Sequence, residues 1–176
     1  MKKITVALTL ILMIALSACA DKGAEEALVI QDEIPSSETT QSLKYTITFA
    51  MPDSAIQATA ATPADKVWYE AADGSYCIIT EITPQSDAAS VIQDMTGFAP
   101  EELDIIRSQR LSMPEYRFRW VSEGEKGLEV CSGAVLEDTG YCYSIQFRAA
   151  EDCAKDCRDI RDDVLSSFSL FYDEGY

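Results

Sequence analysis

Histidine is absent from the chain, and basic residues are scarce: 14 Lys and Arg stand against 30 Asp and Glu, a formal charge of −16 at neutral pH. The missing histidine excludes Ser-His-Asp and Cys-His catalysis and every His-ligated zinc, copper or haem site. The acidic excess argues against nucleic acid as a partner, because phosphate contacts require Lys and Arg in surplus. No calcium loop of the Asp-x-Asp-x-Asp-Gly kind is present, and no repeated Cys pair suits a closed metal site, so neither a metal nor a cofactor is expected. What the chain does have is a length of 176 residues and 47% apolar residues, enough for one domain with a real core.

The N-terminus carries the most specific signal. Lys2 and Lys3 precede an apolar run from Ile4 to Leu16, interrupted by Thr5 and Thr9. As a helix this run spans about 20 Å, short of the ~30 Å membrane core, which fits a signal sequence better than a membrane helix. Leu16-Ser17-Ala18-Cys19 then resembles the lipobox of bacterial lipoproteins. That resemblance implies a signal peptide over 1–18, cleavage before Cys19, acyl chains such as palmitate on Cys19, and a place on the extracytoplasmic face of the cell membrane. Two acyl chains on one residue would satisfy the two-signal requirement for stable anchoring. Loss of Lys2 and Lys3 leaves 12 basic against 30 acidic groups, a charge of −18 on the processed chain.

Residues 19–43 read as the lipidated N-terminus and an acidic stalk lacking apolar periodicity, with an r.m.s. reach of roughly 25 Å. Residues 44–172 read as one α+β domain, and 173–176 as a tail. The strand signals are Tyr45–Phe49, then Val67-Trp68-Tyr69 and Tyr76–Ile79 around Asp73-Gly74, a type I′ hairpin cue. Ser86 is placed to cap a helix that runs through Met95 and stops at Gly97, and a short helix follows Pro100 using Leu103, Ile105 and Ile106. A meander of Tyr116–Val121, Leu128–Leu136 and Tyr141–Phe147 comes next. A two-residue turn at Asp138-Thr139 pairs Leu136 with Tyr141, Ala134 with Tyr143, Ser132 with Ile145 and Val130 with Phe147, all on one face. An odd-length loop between the first two of these strands adds Tyr116, Phe118 and Trp120 to that face. Cys153, Cys157, Ile160, Val164 and Phe168 form the stripe of a long C-terminal helix between Ala150 and Leu170.

The expected architecture is an antiparallel sheet of about six strands flanked by helices. This order, the opening Tyr-Thr-Ile-Thr-Phe-Ala-Met-Pro and the closing Val164-Leu165-Ser166-Ser167-Phe168 resemble the PsbP/Mog1-type domain of bacterial lipoproteins. The resemblance implies a binding or assembly role without catalysis.

With Cys19 lipidated, Cys77, Cys131, Cys142, Cys153 and Cys157 remain. They suit packing as small apolar residues, one disulfide joining Cys77 to a helix cysteine, or a redox or metal role. A Cys131–Cys142 bridge is excluded, since the hairpin register separates them by about 13 Å. Arg117, Arg119 and Arg148 fall on one sheet face in the register above, where they could hold a carboxylate, a phosphate or an acidic peptide, or simply pair with Glu129 and the acids of the closing helix. The function expected is a membrane-anchored, non-enzymatic binding or accessory module whose partner is a protein or a small anionic ligand. Two alternatives need no histidine: a carboxylate-dependent hydrolase of an envelope polymer, which requires two facing acids with one raised pKa, and a calcium binder.

Overall fold

A computed structural model describes residues 44–58, 65–124 and 127–172. The signal peptide expected over 1–18, the lipid attachment expected at Cys19, the stalk expected up to residue 43 and the tail expected at 173–176 lie outside the described residues. The elements run β1 (Thr46–Thr48), β2 (Ala55–Gln57), β3 (Lys66–Ala71), β4 (Tyr76–Pro84), α1 (Ala88–Thr96), β5 (Ile106–Arg110), β6 (Met113–Gly124), β7 (Gly127–Glu137), β8 (Tyr141–Ala150), α2 (Arg158–Ser167) and β9 (Ser169–Phe171). Seven strands form one antiparallel sheet in the order β2-β3-β4-β8-β7-β6-β5, while β1 and β9 pair separately as a two-stranded ribbon.

Both faces of the central strands are buried, which explains why β7 and β8 read as nearly continuous runs of apolar and small residues. On one face Ile78, Leu136, Tyr143, Ile145 and Phe147 pack against Val164 and Phe168 of the C-terminal segment, with Ile47 of β1 beside them. On the other, Phe118, Trp120, Cys131, Val135 and Cys142 pack against Ala88, Val91 and Ile92 of α1.

Several expectations are corrected. The β7–β8 register is displaced by two residues, with Leu136 opposite Tyr143 and Val130 opposite Ala149. The turn lies one residue later than expected, over Thr139-Gly140, closed by the Asp138 N–H donating to the Tyr141 carbonyl at 2.9 Å. A shift of two preserves the inward face, so the core residues are still the expected ones. Between β6 and β7, Gly124 pairs with Gly127, leaving an even number of intervening residues. Phe118 and Trp120 therefore join Cys131 and Val135 under α1 rather than the Leu136 face.

The long C-terminal helix is not formed. Residues 151–157 make successive turns, and α2 spans only 10 residues before the chain leaves it at Phe168 to supply β9. The stripe itself packs inward as expected, with Cys157, Val164 and Phe168 buried and Cys153 and Ile160 against them.

After Pro100 there is only a single 3-10 turn, and Ile106 begins an edge strand, consistent with the β preference of its branched side chain. At the start of α1, Asp87 rather than Ser86 caps the helix, its Oδ1 accepting from Ser90 N at 2.7 Å, and Gly97 ends it in the left-handed region at φ 79°. The β3–β4 connection also differs from a two-residue type I′ turn. Gly74 N–H donates to Ala71 at 2.9 Å, and within Asp73-Gly74 only the glycine takes positive φ.

Candidate binding groove

Helix α1 has nine residues and covers only part of its sheet face. It sits close because Gly133 lacks a side chain: a Cβ there would lie 3.1 Å from Met95 Sδ and from the Phe118 ring. Away from α1, the same face opens toward the β3–β4 and β6–β7 hairpins as a groove of about 480 Å³. Trp68 and Glu70 enter it from β3, Cys77 from β4, Arg148 from β8 and Glu129 from β7.

The register dictates this grouping. Glu70, Cys77, Arg148, Cys131 and Trp120 are successive cross-strand partners over five neighbouring strands. Arg148 is three-quarters buried, and its Nε donates to Gln146 Oε1 at 2.9 Å. Its Nη1 lies 3.7 Å from Glu129 Oε2, an ion pair too long for a hydrogen bond. Glu129 Oε2 is buried with no hydrogen-bond partner. The Glu129 side chain lies across Gly124, where any Cβ would collide with it.

The three arginines do not form a common site. The even spacing between β6 and β7 puts Arg117 and Arg119 on the α2 face and Arg148 on the α1 face, next to Cys131. Arg117 is engaged by Glu115 Oε1 at 3.0 Å and by the Leu165 carbonyl at 3.0 Å, whereas Arg119 is exposed.

A tighter charge cluster lies beside Arg117. Glu115, 4% exposed, accepts from Ser108 Oγ at 2.7 Å and from Arg117 Nε at 3.0 Å, and pairs ionically with Arg110 Nε at 3.0 Å. Arg110 also donates to the carbonyls of Ser166 at 2.8 Å and Phe168 at 2.6 Å. Two guanidiniums thus satisfy the open carbonyls at the end of α2, where positive charge is favoured. Sequence reasoning missed this cluster because Arg110 lies on the unexpected strand β5; the alternation of Glu115 and Arg117 was the available signal. Burial opposes ionisation of Glu115, but the hydrogen bonds from Ser108 and Arg117 and the charges of Arg117 and Arg110 outweigh it, so its pKa is lowered.

All five cysteines of the domain are free thiols. Burial pushes Cys77 up to about 11 despite Arg148, and Cys131 and Cys142 up to about 12. Thiols held so high stay protonated and are poor nucleophiles. Cys142 Sγ donates instead to the Ser86 carbonyl at 3.3 Å, where α1 begins.

A hydrolase reading calls for a carboxyl group held protonated. Asp73 and Asp87 shift downward through hydrogen bonds from Ser75 and Ser90, and Glu115 also shifts downward. Among the described residues, no group of three or more acidic or thiol side chains is arranged to hold a metal ion. A second hollow, about 280 Å³, adjoins the start of α1, where Asp87 caps the helix and the Arg107 guanidinium lies 6.0 Å from the Tyr116 ring centre. Glu137 there accepts from Ala88 N at 3.1 Å and from the Tyr116 hydroxyl at 2.9 Å.

Among solved structures, the chain is similar to cyanobacterial PsbP (CyanoP) from Synechocystis sp. PCC 6803. The two share 12% identity and a TM-score of 0.50, over 78% of this chain and 99% of the other. The fold is PsbP-like.

A protein from Bacteroides thetaiotaomicron VPI-5482 aligns over 75% of this chain and 46% of its own, with 6% identity and a TM-score of 0.48. LpqN of Mycobacterium tuberculosis, involved in cell envelope biogenesis, aligns over 75% of this chain and 87% of its own, with 14% identity and a TM-score of 0.43. No protein-family model and no curated protein matches the sequence. Among the described residues, no helix is long and apolar enough to cross a membrane.

Proposed function

We propose that the protein is a lipid-anchored, extracytoplasmic accessory module that binds a ligand in the sheet groove without transforming it. The observation that carries this reading is the groove itself: a concave site between two hairpins, with an aromatic wall at Trp68 and an incompletely bonded Arg148–Glu129 pair at its base. Such sites, with a few polar groups set among apolar ones, are where ligands bind. Its one thiol, Cys77, is pushed up to about 11, so it is not poised for attack. The anchor is supported by the leader ending Leu16-Ser17-Ala18-Cys19.

Cys19→Ala should leave the precursor uncleaved and shift the protein out of its lipid-anchored membrane population; unchanged lipid labelling and fractionation would sink the anchor. For binding, full-length protein and its Trp68→Ala variant are incubated with envelope extract, and retained compounds are compared by mass with the input. Retention of an unaltered compound by the parent and its loss in the variant is expected. Release of a chemically changed product would overturn the reading.

A further inference from the structure

We propose that the groove takes a free basic amino acid. This deepens the binding reading above and rests on it. Arg148 uses Nε on Gln146, but its terminal nitrogens meet Glu129 only at 3.7 Å, and Glu129 Oε2 accepts no hydrogen bond. Unbonded donors and a buried, unpartnered acceptor thus lie side by side on two residues that line one cavity, and a modest turn of the Glu129 carboxylate presents the acceptor to a ligand. A buried polar pair left in this state is costly, and a ligand carrying both complementary groups relieves it.

An α-carboxylate matches the planar guanidinium fork, while an α-ammonium donates to Glu129. Trp68 and Leu128 offer apolar surface for an alkyl stem, and Leu128 is 47% exposed without a ligand. Glu70 and Glu123 line the same groove and make no ion pair among the described residues. They suit a second cation at the end of that stem, which the indole face also favours. The acidic charge of the whole chain draws a net-positive ligand in the same direction.

Calorimetry on the full chain with three probes tests this: L-lysine, cadaverine, which lacks the carboxylate, and ε-aminocaproate, which lacks the α-ammonium. Lysine should bind, and each of the other two should bind about tenfold more weakly. Arg148→Lys, which keeps the charge but not the fork, should weaken lysine about tenfold and leave cadaverine unchanged. Glu70→Gln and Glu123→Gln, both at exposed positions, should weaken lysine and cadaverine alike.

Absence of lysine binding by folded protein, or equal affinity for lysine and cadaverine, would overturn the proposal. If lysine fails while Trp68→Ala still abolishes retention of an envelope compound, only the ligand class falls. If lysine fails and Trp68→Ala retains that compound unchanged, the groove reading falls with it.

Discussion

Glu115 is the side chain on which the β5–β6 hairpin and the end of α2 converge. Its carboxylate is buried, and Arg110 and Arg117 each reach from it to carbonyls of the helix terminus. Glu115→Ala should cost roughly 3 kcal/mol in chemical denaturation, the low end for a broken buried pair, because both guanidiniums keep some contact with water. The pKa of Glu115 is lower in the folded state, so the stability it lends is full above the ordinary glutamate value of 4.5. That stability is lost as pH falls through the lowered folded value. Glu115→Gln should therefore flatten the acid-side decline of stability; an unchanged acid profile would contradict this role.

The tip of the same hairpin is strained. Leu111 and Ser112 adopt φ of 54° and 65°, a region that side chains other than Gly, Asn and Asp seldom occupy. Leu111→Asn with Ser112→Gly should stabilise the fold by about 1–2 kcal/mol, read as a raised denaturation midpoint with an unchanged slope.

Among the elements, the placement of α1 decides whether a groove exists. Gly133 allows the helix to approach Met95-first onto the sheet, with the Phe118 ring alongside. Gly133→Ala must push one of them aside and should cost about 1–3 kcal/mol, measured by thermal unfolding. No loss of stability would mean that the helix is free to shift.

Elements were legible in the sequence where a period ran uninterrupted. The stripe Cys157-Val164-Phe168 was legible because its spacing survives a change from helix to turns at its start. The strands of the meander were legible for the same reason. The face shared by two strands was not, since it depends on the parity of a short polar loop. One unit of parity moved Arg148 away from Arg117 and Arg119, and so dissolved the expected anion site. The groove was illegible because it draws two or three residues each from β3, β4, β6, β7 and β8, far apart in sequence and joined only by register. Trp68 and Cys77 were visible as strand residues, but nothing local placed them beside Glu129.

At the scale of the whole molecule, the acidic excess opposes compaction. With a formal charge of −16, mutual repulsion is relieved by screening, so the unfolding midpoint should rise as salt increases from low ionic strength toward the physiological range. A falling midpoint would show that the paired charges around Glu115 and Arg148 outweigh the general repulsion.

The separate ribbon of β1 and β9 bears on a different property, the response to force. Thr46–Thr48 and Ser169–Phe171 pair over only three residues and stand outside the seven-stranded sheet, although Tyr45 N donates to the Tyr143 hydroxyl at 2.9 Å. A pull on the chain ahead of Lys44 meets this short clasp first, while the large sheet carries load only after the clasp has opened. Under a load applied there the ribbon is a mechanical fuse ahead of the groove: it yields while the strands that shape the groove stay in register.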